Sequence, residues 1–526
     1  MRRAFAFALL IVGALPAAAQ RRGPAAPAAV PPELDTYINN VIRAFEVPGV
    51  SVAIVKDGKV VLTRGYGVRR LGDSTRVDAR TLFGIASNTK AFTATALGML
   101  VEEGKIEWDA PVIRYVPWFA LSDPYVTREL TVRDLLVHRS GLGLGAGDLL
   151  WWPPTTYDRK EIARRLRYIP LATSFRSAYA YDNVLYGVAG EVIEAMSGQT
   201  WEDFVRTRII EKVGMTGSNV MHSGAVETGG NVAGTHARVD GKVRLVTPFS
   251  SDITNPAGGI NSSAEDMAKW LIVQLDSGRT ATGRLWSQVT QRRLWALITP
   301  IPIGTPAPEL AALRPNFNGY GLGFHVQDYR GRKIVTHTGG LPGYVSRLTM
   351  IPDMKLGVMV LTNQESGAAF EAITYRILDH YLQAPPTDWL AAFKTVVARG
   401  DSMIAAADAS AVTARDTASR PSLPLAKYAG TYTDPWYGDV EITRNGDKLG
   451  IRFTKTPMLV GDLEHWQYDT FVARWREREL RADAFVTFHL TPEGGIEQVK
   501  MRAVSDATDF SFDFHDLVLK PARRPQ

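Results

Sequence analysis

The segment Phe83-Gly84-Ile85-Ala86-Ser87-Asn88-Thr89-Lys90 joins an extended stretch to an apolar-periodic run over 88–103 that stops at Gly104, the pattern of a strand feeding a helix. Ser87 then sits in the first helical turn, where free backbone N–H groups and the positive end of the dipole favour a developing oxyanion. Lys90, three residues on, shares its face. A serine hydroxyl is a weak nucleophile and needs a neighbour to take its proton. A lysine amine does this only when burial or nearby charge brings its pKa from about 10.4 towards neutrality. An isolated Ser-x-x-Lys is equally a helix cap beside a solvated lysine, but this tetrapeptide occurs once in the chain.

Two other segments carry matching chemistry. Tyr181-Asp182-Asn183 opens a helix over 183–196. A phenol beside a lysine ammonium loses its proton more easily, and an asparagine amide can orient both the lysine and an acyl group. Alone, the tripeptide is equally an aromatic core residue with an N-terminal cap. Thr336-His337-Thr338-Gly339-Gly340 ends a strand, and its two glycines let a ligand lie against the strand edge with backbone N–H groups exposed. The N–H groups of Gly340 and Ser87 together would make a two-donor oxyanion hole. A plain strand-to-loop turn is the other reading of that segment.

The elements that must bring these pieces together are spread widely. A helix is expected over 33–44, then a hairpin of strands 51–55 and 60–65 around Lys56-Asp57-Gly58. Further helices are expected near 183–196, 201–211 and 264–277, strands at 333–338, 346–351 and 356–361, and a closing helix near 366–382. Strands at both ends with helices between imply one sheet built from distant segments. Residues 384–424, an Ala/Asp-rich helical stretch ending in Arg420-Pro421-Ser422-Leu423-Pro424, read as a linker. From Tyr428 onward the runs VEITR, LGIRF, TFVARW, FVTFHL, IEQVKM and FSFDFHDLVLK alternate between turn signals, as in a small antiparallel barrel.

The chain has 526 residues, no cysteine, 45% hydrophobic and 22% charged residues and a formal charge of +6. This composition excludes a disordered or collagen-like chain, disulfides and thiolate chemistry. The positive charge is modest and dispersed, so nucleic acid is a poor partner. Residues 1–19 read as a secretory signal: Arg2 and Arg3, an apolar run from Ala4 to Leu15, then Ala17-Ala18-Ala19 before Gln20. An uncleaved anchor is the competing reading; no later window is long and apolar enough for a stable membrane span. The Pro/Ala-rich residues 20–32 form a tether, and a periplasmic or secreted protein is expected.

The three segments together resemble the Ser-x-x-Lys, Tyr-x-Asn and Lys-Thr-Gly elements of the serine β-lactamase and penicillin-binding-protein superfamily, closest to the branch of class C β-lactamases, D-alanyl-D-alanine carboxypeptidases and family VIII-type carboxylesterases. Leu135–Leu142, Asn255–Asp266 and Gly340–Tyr344 are similar to that branch as well. The resemblance implies an α+β, β-lactamase/transpeptidase-like fold over 33–383, an antiparallel sheet flanked by helices plus a helical subdomain. The stretch 425–526 resembles the lipocalin-like barrels that follow the catalytic domain in some members. It further implies that Ser87 is acylated, that Lys90 and Tyr181 share the general-base role, and that Asn183, His337, Thr338, Gly339 and Gly340 bind substrate and oxyanion. The expected activity is hydrolysis of small esters, amides or D-amino-acid peptides, with a β-lactamase or a low-turnover penicillin- or peptide-binding protein as the alternative. His337 stands where β-lactamases usually carry lysine, and a shorter, mostly neutral side chain favours a peptidase or esterase.

Weaker features complete the reading. Trp151-Trp152-Pro153-Pro154 suits an apolar wall or ordinary loop packing. His138 suits a structural role, Arg139 has local consequences only, and Arg164, Arg165 and Arg167 suit a solvated helix face. With no Gly-x-Ser-x-Gly elbow, His-Glu-x-x-His or phosphate loop, no metal or cofactor is expected.

Overall fold

A computed structural model describes residues 30–224 and 230–522. The expected leader (1–19) and most of the tether lie outside the described residues. Helix α1 (Leu34–Phe45) buries Leu34, Ile38, Val41 and Phe45, a single stripe at helical spacing. Strands β1 (Gly49–Lys56) and β2 (Lys59–Gly67) follow as a hairpin, with Asp57 and Gly58 both at positive φ in its turn. Helices α2 (Lys90–Glu102), α3 (Val184–Ser197) and α4 (Ala264–Leu275) come next. The helix expected at 201–211 continues to Val213 and carries a π-turn over Arg206–Ile210.

The sheet is completed from far along the chain by β3 (Thr299–Pro300), β4 (Asn318–Tyr320), β5 (His325–Tyr329), β6 (Arg332–Leu341), β7 (Tyr344–Ile351) and β8 (Leu356–Thr362). Its order is β2-β1-β8-β7-β6-β5-β4-β3, antiparallel throughout. Alternation along β1 covers both faces. Val50, Val52 and Ile54 pack towards α1 and α5 (Gly367–Leu382), whereas Ala53 and Val55 join the core that holds α2 and α4.

Helix α6 (Trp389–Thr413) spans the expected linker, and only Trp389 and Phe393 of its 25 residues are buried. It is held at its ends: Trp389 Nε1 donates to Asp379 Oδ2 at 2.8 Å, and just beyond the helix Arg415 Nε donates to the Trp466 carbonyl at 2.6 Å. Eight antiparallel strands, from Gly430–Asp434 to Lys520–Pro521, then follow each other round a nearly closed barrel, with Leu519 bridging back to Val499. Tyr432, Phe453, Phe471, Trp475 and Phe488 are buried, so aromatic side chains fill its interior rather than lining a cup.

One expected strand is corrected. Of FSFDFHDLVLK, only Lys520 joins a strand; Phe514–Asp516 form a 3₁₀ turn in a loop. The alternation misleads because Ser511 and Asp513 are buried along with Phe512 and Phe514. Phe512 and Phe514 join the apolar core, while Ser511 and Asp513 are held by the catalytic unit. That core is continuous from the helical region around α3 into the barrel. Among the described residues no helix is long and apolar enough to cross a membrane.

Candidate active site

From Thr81 to Leu100 every residue is buried except Ser87. The nucleophile candidate lies in a 3₁₀ turn, Ala86–Thr89, that runs directly into α2, with Ala86 at φ 50 just before it. Three contacts fix this turn. Ile85 N–H donates to the Ile260 carbonyl at 2.9 Å. Ser346 Oγ of β7 donates to the Ile85 carbonyl and accepts from Asn88 Nδ2, each at 2.8 Å. On β6, Gly339 admits the turn, because a Cβ there would stand 2.3 Å from the Ile85 oxygen.

Lys90 is fully buried, and its Nζ has three neighbours: Asn183 Oδ1 at 2.7 Å, the Ala257 carbonyl at 3.1 Å and Ser87 Oγ at 3.2 Å. Nζ also lies 4.9 Å and 5.0 Å from the ring centres of Tyr181 and Tyr186. Burial brings the amine down to about 7, against the opposing pull of Asp148 and Asp182. A neutral amine has two N–H donors and one lone pair. Asn183 and Ala257 take the donors, which leaves the lone pair for the Ser87 hydroxyl.

Tyr181 comes within hydrogen-bonding reach of Ser87, yet burial pushes its phenol well above the ordinary value. Its ring lies tilted against His138 with ring centres 4.3 Å apart, and His138 Nδ1 accepts the Asp182 N–H at 3.2 Å, the structural role expected for that histidine. Asn183 does two jobs at once, since Nδ2 donates to Asp148 Oδ2 at 2.9 Å while Oδ1 receives Lys90. His337 Nε2 lies 2.7 Å from the Tyr320 hydroxyl, and burial holds the imidazole neutral.

A cavity of about 270 Å³ gathers Ser87, Tyr181, Asn183, His337, Thr338 and Gly340. Gly339 alone of the expected binding residues is absent from the lining; it faces the Ile85–Ala86 turn and shapes the site from behind. Gly340 has open space where a Cβ would stand. Trp151 and Trp152 do line the cavity, so the tryptophan pair forms part of its wall. Arg165 departs from a solvated face, its Nη1 donating to the Trp436 carbonyl of the barrel at 3.0 Å. Among the described residues no cluster of His, Cys, Asp or Glu is placed to hold a metal ion.

Sequence reasoning missed Asp148 and the segment 509–513. Asp148 is fully buried and accepts from Trp151 Nε1, Asn183 Nδ2 and Ser511 Oγ, each at 2.9 Å. Asp509, Phe510 and Ser511 reach the same cavity from the barrel end of the chain. An acid between glycine-rich and tryptophan-rich runs was the only signal for Asp148. For Ser511, 363 residues away, no local pattern exists.

An antiparallel sheet with helices on both faces and a Ser-x-x-Lys turn seated against one strand define a serine hydrolase of β-lactamase/transpeptidase fold. The chain belongs to the Beta-lactamase family, whose model matches residues 37–382, and the model of a domain of unknown function, DUF3471, matches 414–521. It is 28% identical over 449 residues to the unguisins hydrolase ungD of Aspergillus violaceofuscus, covering 81% of this chain and 78% of that protein. It is similar to the octameric penicillin-binding protein homologue from Pyrococcus abyssi, with TM-score 0.59 and 25% identity over 90% of this chain and 98% of that one. The D-amino acid amidase from Ochrobactrum anthropi shares the fold, with TM-score 0.54 and 24% identity over 67% of this chain and 99% of that one.

Proposed function

We propose that the protein is an exported acyl hydrolase that turns over small amides, peptides with D-residues, or esters through an acyl-enzyme on Ser87. The single observation that carries this reading is the fully buried Lys90 amine, 3.2 Å from Ser87 Oγ and brought down by burial to about 7, so that a large share of it is free to accept the serine proton. Ser87 Oγ bonds to the substrate carbonyl carbon while its proton passes to Lys90. The N–H groups of Ser87 and Gly340 hold the oxyanion. As the tetrahedral adduct collapses, the Lys90 proton moves through the Tyr181 hydroxyl to the departing amine or alcohol. Water then adds to the acyl carbon while one of its protons passes to the same pair; the bond from that carbon to Ser87 Oγ breaks, the proton returns to Oγ, and the acid leaves.

Esterase and peptidase chemistry is favoured over β-lactam hydrolysis, because His337 is neutral, engaged by Tyr320 and offers no cation to a substrate carboxylate. Turnover rather than mere binding is supported by the intact Ser87, Lys90, Tyr181 and Asn183, and by a relative named as a hydrolase. The test is covalent labelling with a fluorophosphonate followed by peptide mapping, alongside kcat/KM for p-nitrophenyl esters, D-alanyl peptides and nitrocefin. Labelling at Ser87 that vanishes in Ser87→Ala, together with ester or peptide turnover, is expected. An unlabelled, folded protein would refute the assignment. Export is tested separately, by a mature N-terminus at Gln20.

A further inference from the structure

The loop at 145–151 is gripped by residues from the loop that joins the last two strands of the barrel. Phe510 packs on Gly145, where a Cβ would stand 2.7 Å from its ring. Asp513 accepts the backbone N–H groups of Gly147 and Leu149, at 2.7 Å and 3.1 Å, on either side of Asp148. Between these two anchors, Ser511 Oγ donates to Asp148 Oδ2 at 2.9 Å. Asp148 in turn holds Asn183 Nδ2, and Asn183 Oδ1 holds Lys90 Nζ. Ser511, Asp148 and Asn183 are all buried, so water does not replace a missing partner in this chain without cost.

We propose that Ser511, carried by the C-terminal unit, is a positioning residue for the Ser87–Lys90 pair, acting through Asp148 and Asn183. The proposal rests on the reading of Lys90 as the base. Its physical basis is the fixed orientation of the Asn183 amide. That amide presents its oxygen to Lys90 only while its nitrogen donates to Asp148. Burial pushes the Asp148 carboxyl up to about 7, and the donors on Asn183, Trp151 and Ser511 pull the other way by favouring its charged form. Two buried acids act on Lys90, Asp148 and Asp182, each pushed up to about 7 by burial, and Asp513, raised well above its ordinary value by burial and by the charge of Asp148, faces Asp148. The other groups facing Lys90 are the phenols of Tyr181 and Tyr186 and the imidazoles of His138 and His337, all held neutral by burial. Removing the Ser511 donor weakens the charge on Asp148. Lys90 thereby loses part of its counter-charge, and Asn183 is freed to turn.

The experiment measures the rate of Ser87 labelling by a fluorophosphonate against pH for the full chain, for Ser511→Ala and for Ser511→Thr. Ser511→Ala is expected to lower the plateau rate by about tenfold or more and to move the rising limb to lower pH, while Ser511→Thr restores both. Ser511→Cys, which keeps the shape but donates weakly, serves if the alanine variant does not fold. A variant that is less thermally stable yet labels at the wild-type rate with an unmoved limb overturns the proposal and leaves Ser511 a packing residue. Lys90→Ala in the same series separates the two claims. If it labels as fast as the wild type, the base assignment is wrong whatever Ser511 does.

Discussion

Replacing Lys90 by arginine keeps a long cation in the pocket but removes the nitrogen able to accept a proton, because a guanidinium does not deprotonate in proteins. The size of the effect follows from burial. With its amine at about 7, half of Lys90 is neutral at pH 7. A lysine at its ordinary value near 10.5 would be neutral in only about one molecule in three thousand. Burial therefore supplies roughly a thousandfold more base at neutral pH. The neutral amine is the active form and its pKa is lowered, so acylation must rise with pH through about 7 and then level off. The assay is rapid-mixing measurement of the acylation burst with an activated ester, between about pH 5 and 9. Lys90→Arg should show no burst anywhere in that range. A wild-type limb near 10, a flat profile, or an arginine variant that acylates normally would show that another group takes the Ser87 proton.

Tyr181→Phe should cut acylation by a factor of about a hundred or more while leaving the thermal unfolding midpoint nearly unchanged, since only a hydroxyl near Ser87 is lost. Gly339→Ala should destabilise the fold by about 1–3 kcal/mol and impair labelling of Ser87, because its methyl group would press on the Ile85 carbonyl and Ser346 Oγ. Gly340→Ala, with open space at the same place one residue on, should unfold like the wild type. Trp389→Ala should cost about 3–5 kcal/mol in chemical denaturation, as it empties the buried anchor of α6 and leaves Asp379 Oδ2 without its indole donor.

Much of the catalytic unit was legible from local pattern. The stripe in α1, the Asp57-Gly58 hairpin and the alternating runs that became β6, β7 and β8 each satisfy a short-range rule. Ser87, Lys90, Tyr181 and Asn183 were legible as motifs, and the fold brings them to one cavity wall or its floor. What local pattern did not show is how the groups are held. Gly339 was expected beside the ligand, but backbone alternation turns it to the nucleophile's own turn. Asp148 and Ser511 are joined only in three dimensions, and SFDF imitated a strand because its phenylalanines enter the apolar core while Ser511 and Asp513 are buried by hydrogen bonds to the loop around Asp148.

The grip of residues 510–513 on the loop around Asp148 spans 363 positions of chain. At a synthesis rate of about 5–20 residues per second, a ribosome needs roughly twenty to seventy seconds to travel that far. Through that interval the pocket lacks the wall formed by Phe510 and Ser511, and Asp148 lacks one of its donors. A growing polypeptide would thus carry its serine and lysine in a pocket still short of one wall and one hydrogen bond until its own downstream segment arrives.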